Sequence, residues 1–275
     1  MRPDQHFLRA DIASAWQGQD PLLAAFALEG EVYRDVAGRR TLKVDIGQRD
    51  FFVKLHSGVG WGELLKNWLT LKRPVVGAFN EFSACAALLE CGIPAPVPAA
   101  YGQDDRFVTR RNSVVLCEAL DDVTSLEDLT DPWPQVPPTA QTRTRLLYAV
   151  ARFARRFHGA GFVHRDFYIC HLLAENESWA RGEPRLCVLD LHRARRFRTL
   201  PERWRRRDLA ALVFSSLDLR LSEREWLRFV QIYSGRSLRE ELRANGRFWR
   251  SVRARADKLY REGLRKGIVK GLYTP

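Results

Sequence analysis

Residues 30–56, GEVYRDVAGRRTLKVDIGQRDFFVKLH, gather β-branched and aromatic positions into three runs separated at Ala37-Gly38 and at Ile46-Gly47-Gln48. Such runs, bounded by turn residues, predict three short strands in a meander. At 78–91, AFNEFSACAALLEC, the pattern becomes Ala- and Leu-rich, and Gly92 and Pro94 supply a helix stop. NSVVLCEAL (112–120) is again an apolar strand, and TDPWPQVPPTAQ (130–141) is a Pro-rich break. Beyond it, Leu146, Leu147, Val150, Phe153, Ala154 and Phe157 recur at helical spacing within 142–161, with arginines on the opposite side and Gly159 and Gly161 closing the helix. RLCVLDLH (185–192) predicts a strand ending in an acid, and from about residue 202 the chain reads as helical and Arg-rich. The order is an extension over 1–30, strands with one helix over 31–120, and a mainly helical part over 121–275: an α+β chain in two lobes.

Composition adds bounds. A chain of 275 residues, 45% hydrophobic, can bury a full core. The five cysteines form no C-x-x-C pair and no cluster at zinc spacing, so reduced, mostly buried thiols of a cytosolic protein are expected. MRPDQHFLRADIASAW has scattered charges in place of a signal peptide's apolar region. No apolar run approaches the roughly 18 residues that span a bilayer, so the chain is expected to be soluble or peripheral. The net charge of +12 points to polyanionic partners: nucleic acid, an anionic membrane surface, or a phosphorylated or carboxylated substrate.

One stretch narrows the chemistry. FVHRDFYICHLL (162–173) contains His-Arg-Asp, the core of a phosphotransferase catalytic loop. Phosphoryl transfer needs a cation on the nucleotide phosphates, an acid for Mg²⁺, and a carboxylate to accept the proton of the incoming hydroxyl. Lys54 ends the third strand in FFVKLH and suits the first role, with Glu81 of the next helix as its ion-pair partner. Asp166 is placed as the base, and Asp190, at the end of CVLD, as the metal ligand. Each alone has a bland reading: a solvated lysine, a surface acid, a chance tripeptide, a strand-end cap. Four roles in the right order on the expected elements are much harder to obtain by accident.

FVHRDFYICHLL, VLDLHRAR, RWRRRDLAALVFSSLDL and GWGELLKN together resemble the lipopolysaccharide core heptose(I) kinase family, related to the Kdo kinases, from about Trp16 to Tyr260. The resemblance implies a protein-kinase-like fold, its N-lobe an antiparallel sheet plus helix and its C-lobe mainly helical. It implies ATP and Mg²⁺ as cofactors, a heptose of the anionic lipopolysaccharide inner core as acceptor, and acyl carrier protein and the inner-membrane surface as further partners. The expected place is the cytoplasm, peripheral at the inner face of the inner membrane, with no nucleic acid bound. Alternatives are another inner-core sugar kinase (Kdo or second heptose), a protein kinase, or a non-enzymatic basic module.

His171 stands where protein kinases have Asn, which is similar to the family's own pattern. Mg²⁺ prefers oxygen ligands, so His171 is either a second metal ligand or a support for the loop. No G-x-G-x-x-G precedes Lys54; DVAGRRT (35–41) offers Gly38 with Arg39 or Arg40 as nucleotide cover, and Glu118 is placed with the nucleotide-binding residues. His164, Arg165, His192 and Asp208 are support residues. Asp208 resembles the helix aspartate that braces the catalytic loop, although an acid near a helix start is also favoured by the dipole alone. Residues 191–208 contain one hydroxyl, Thr199, which argues against a phosphorylation-switched activation loop and against phosphate docking on Arg165. Eight arginines lie between Arg193 and Arg207 against one acid, Glu202: a solvated face or a surface for an anionic substrate. WGELLKNWLTLKR (61–73) reads as an amphipathic helix that packs on the core, rests on a membrane or receives an acyl group.

Overall fold

The computed structural model describes residues 6–36, 38–57, 77–104 and 111–274. The segment 61–73 lies outside them. The chain divides into two compact units, one of residues 1–121 with 190–193, the other of 122–189 with 194–275.

The first unit is built on β1 (Phe7–Leu8), α1 (Ala10–Ala15), α2 (Pro21–Phe26), β2 (Glu31–Val36), β3 (Arg39–Asp45), β4 (Asp50–His56), α3 (Phe79–Glu90), β5 (Pro98–Gln103) and β6 (Ser113–Glu118). Its antiparallel sheet has the order β1-β5-β6-β4-β3-β2, so β4 is flanked on both sides. In β4 buried Phe51, Val53 and Leu55 alternate with Phe52 and Lys54, the period of a strand with one face on the core. Lys54 stands opposite Thr41 of β3 and Val115 of β6. The stretch ahead of β2 is part of this core: Ile12, Trp16, Ala24 and Ala25 pack with Leu42 and Val53. Asp20 starts α2 by accepting from the Leu22 and Leu23 amides, and Pro21 supplies a φ suited to the first turn.

The second unit holds β7 (Val123–Ser125), α4 (Leu126–Thr130), α5 (Ala140–Gly159), β8 (Phe162–Val163), β9 (Leu172–Glu175), α6 (Asn176–Ala180), β10 (Leu186–Val188), β11 (Arg195–Arg196), α7 (Glu202–Ser216), α8 (Glu223–Ser234) and α9 (Leu238–Lys266). Three short strands pair as β10-β9-β7 and two as β11-β8. Phe153 and Phe157 of α5 are buried, and Phe157 stacks on Phe167 with ring centroids 5.4 Å apart. Capping boxes at Ser222 with Glu225 and at Ser237 with Glu240 start α8 and α9, and left-handed Gly235 and Gly267 end them. Gly161 (φ 85°) joins α5 to β8, and a Cβ there would lie 2.0 Å from the Phe197 carbonyl oxygen. The meander, the helix 78–91, the strand at 113–118, the helix 142–161 and the helical remainder are all present as expected.

The cysteines are free thiols; Cys85 and Cys117 are buried, while Cys91, Cys170 and Cys187 are half-buried. Among the described residues no helix is long and apolar enough to cross a membrane.

Candidate active site

In the sheet unit, Lys54 forms an ion pair with Glu81, which sits buried in the first turn of α3. The strand's period puts Lys54 on the side where α3 lies, and the helix start brings the acid to it. Burial works against the charge of Lys54, but the negative charges of Glu81 and Asp190 outweigh it and hold the ammonium above its ordinary pKa. β10 ends at Val188, so Asp190 is not the last strand residue; it follows in a left-handed turn with φ 57°. Its Oδ1 accepts from His192 Nδ1 at 2.5 Å and faces Arg39 Nη2 at 3.6 Å. Burial pushes the Asp190 carboxyl up, yet the His192 hydrogen bond and the charges of His192, Lys54 and Arg39 prevail and keep it well below the usual carboxylate range. Asp190 is therefore an anion held among cations.

Asn80, beside Glu81, secures this turn: its Nδ2 donates to the His192 carbonyl at 2.7 Å. His56, two residues from Lys54 and on the same face, is buried, and burial together with the charges of Arg39, Lys54 and His192 lowers its pKa to about 3. Neither residue was singled out in the sequence. Period-two spacing from Lys54 and adjacency to Glu81 were the available signals.

Gly38 occupies the β2–β3 turn at φ 78°, and the neighbouring Arg39 points to Asp190, whereas Arg40 meets Asp35 at 3.7 Å at the surface. Glu118 departs from the expectation. Three residues beyond Val115, it is on the face of β6 opposite to Lys54, and its carboxylate takes Arg9 at 2.8 Å and Arg49 at 3.2 Å. Its side chain is committed to those pairs.

In the helical unit, the loop after β8 contains His164, Arg165, Asp166 and His171. Asp208 of α7, fully buried, accepts the His164 amide at 2.6 Å and the Arg165 amide at 2.8 Å. That brace fixes Arg165 at φ 78°, a left-handed conformation costly for a residue with a Cβ unless its surroundings impose it. Behind Asp208, His158 Nε2 lies 3.5 Å from Oδ2, and His158 Nδ1 is 2.8 Å from the Tyr233 hydroxyl. The Arg165 guanidinium covers Trp204, 5.3 Å from the ring centroid. The Asp166 carbonyl accepts twice, from the Tyr168 amide at 2.9 Å and from His171 Nδ1 at 2.7 Å. His171 also stacks on His164 at 5.4 Å, and His164 Nε2 donates to the Leu189 carbonyl at 2.7 Å. His158, Tyr233 and Trp204 escaped the sequence reading, since spacing does not announce a bond between residues 75 positions apart.

The chain is similar to known proteins over most of its length. The lipopolysaccharide kinase (Kdo/WaaP) family model matches residues 24–233. A lipopolysaccharide core heptose(I) kinase WaaP of Pseudomonas aeruginosa is 42% identical over 253 residues, 92% of this chain and 94% of that one. Its namesake from Escherichia coli is 34% identical over 262 residues, 95% and 99% of the two chains. A solved structure, WaaP in complex with acyl carrier protein, superposes with a TM-score of 0.79 at 37% identity, covering 93% of this chain and 99% of the other. The α+β architecture, an antiparallel sheet unit followed by a helical one, is protein-kinase-like.

Proposed function

We propose that this chain, which belongs to the lipopolysaccharide kinase (Kdo/WaaP) family, transfers the γ-phosphoryl group of ATP to a hydroxyl of the first heptose of the lipopolysaccharide inner core. The observation that carries the substrate is the near full-length identity, on both sides of the alignment, to proteins named heptose(I) kinases.

The residues fit the nucleotide and its metal. Lys54 is a cation held by Glu81, Arg39 stands beside it, and Asp190 is an ionised carboxylate. Among the described residues no three acids, histidines or cysteines gather into a metal cage. Mg²⁺ in phosphoryl-transfer sites uses one or two carboxylates and completes its shell with water and substrate phosphates, so Asp190 suffices as the main protein ligand. When bound, the ion offsets charge on the phosphate oxygens. Lys54 and Arg39 hold those phosphates; Asp166 accepts the proton of the sugar hydroxyl. The two hydrogen bonds on the Asp166 carbonyl and the Asp208 brace keep that base in place. His171 serves as the loop's support, since one ring nitrogen is spent on the Asp166 carbonyl.

Acyl carrier protein is proposed as a partner, because the solved relative is in complex with it and a chain of net charge +12 suits an acidic protein. The same charge favours a place at the anionic inner face of the inner membrane.

The test is Mg²⁺- and ATP-dependent phosphate transfer to inner-core lipopolysaccharide lacking phosphate on its first heptose, followed by mass spectrometry. One phosphate on that heptose is expected. Phosphate on Kdo or on the second heptose instead would replace the proposed acceptor while keeping the kinase.

A further inference from the structure

In the helical unit a pocket of about 350 Å³ opens between the end of α5, the start of α7, the end of α8 and the first turns of α9. Three arginines line it, Arg155, Arg205 and Arg236, against a single carboxylate, Glu241. Glu241 is already engaged: Trp249 Nε1 donates to it at 2.8 Å and Asn245 Nδ2 at 3.1 Å. Arg205 is fixed over Phe248, 4.4 Å from the ring centroid, and its buried Nε has no hydrogen-bond partner among the described residues. The Arg155 guanidinium occupies the space that Gly235 leaves, for a Cβ there would come 2.1 Å from Nη1.

A buried donor without a partner destabilises the empty pocket, and three guanidiniums around one hollow repel each other. An anion removes both penalties. Guanidinium forks match the oxygens of a phosphate in paired hydrogen bonds. We propose that this pocket binds a phosphate-class anion, from a soluble phosphate compound or from a lipid headgroup. The site shares no residue with the Lys54 and Asp190 cluster, and it does not depend on heptose as acceptor. It also touches the catalytic loop's support: His158 and Tyr233 line it, and His158 reaches Asp208, which holds the loop amides.

Pyrophosphate titrated into the full chain, followed by calorimetry in low salt, tests the site. Arg205→Met keeps a long apolar stem over Phe248, and Arg155→Gln with Arg236→Gln changes only exposed side chains, so both variants should fold. Folded Lys54→Met, in which the nucleotide-phosphate cation is gone, is expected to keep one pyrophosphate site, and both arginine variants made in that background to lose affinity by about tenfold or more, the scale of one charge-assisted contact. No binding by Lys54→Met, or undiminished binding when the arginine substitutions are added to it, would overturn the site. Sedimentation with phosphatidylglycerol vesicles assigns the source. Vesicle binding lost in the arginine variants supports a headgroup; pyrophosphate binding without vesicle binding supports a soluble anion.

Discussion

Asp166 is held by its own backbone: its carbonyl takes two donors, and the preceding amides are bonded to Asp208. Truncating its side chain leaves those bonds intact. Asp166→Ala should therefore lose turnover by ~10²–10⁴-fold, the usual scale for a proton-transfer group, with an unchanged circular dichroism spectrum and melting temperature. A folded, fully active variant would remove Asp166 from the mechanism. His56 carries a pH signature of its own. With a native pKa of about 3 against an ordinary value of 6.5, it stays neutral in the fold while the unfolded chain takes up a proton. The stability linked to it is present above pH 6.5 and is lost as pH falls toward 3, at up to about 1.4 kcal/mol per pH unit. In urea unfolding across that window, His56→Gln should show a shallower decline than wild type. Identical slopes would mean that His56 is protonated in the native state.

Elements here are tied by contacts that one atom can break. Gly161 passes between α5 and β8 at positive φ with the Phe197 carbonyl pressed against its α-carbon, and the Gly161 carbonyl accepts the Phe197 amide at 2.8 Å. A methyl group at that place must displace backbone, and the β8–β11 pair with it. Gly161→Ala is expected to cost about 1–3 kcal/mol, combining left-handed strain with overpacking, and thermal unfolding measures it. Gly159, two residues earlier, has open space at its Cβ and serves as the control; its Ala variant should melt within a degree or two of wild type, on the scale of an ordinary surface substitution, about 0.5 kcal/mol. The sequence marked both glycines alike as a helix stop, and only the tertiary structure separates them, through the positive φ of Gly161 and the packing of Phe197.

At the scale of the molecule, a net charge of +12 bears on association more than on folding. If acyl carrier protein binds as proposed, its association rate should fall steeply between low and physiological ionic strength, by about tenfold or more, measurable by stopped flow. A salt-independent rate would assign that contact to apolar burial. Much of the molecule was legible in the chain itself. Runs of β-branched residues between turns marked the meander, helical spacing marked α5, and the order of Lys54, Glu81, Asp166 and Asp190 marked the chemistry, because these signals are local and periodic. The Lys54–Glu81 pair was readable for the same reason: a strand's period and a helix start each fix a direction. Glu118 was not, because the face on which it falls depends on the register of β6 against β4 and on Arg9 arriving from the far end of the chain. Nor were His158 and Tyr233, or the three arginines around one pocket, which come from α5, α7 and the turn between α8 and α9. Residue types and their local geometry are written in the sequence; which distant side chains share a charge, a proton or a hollow is decided only when the helices pack.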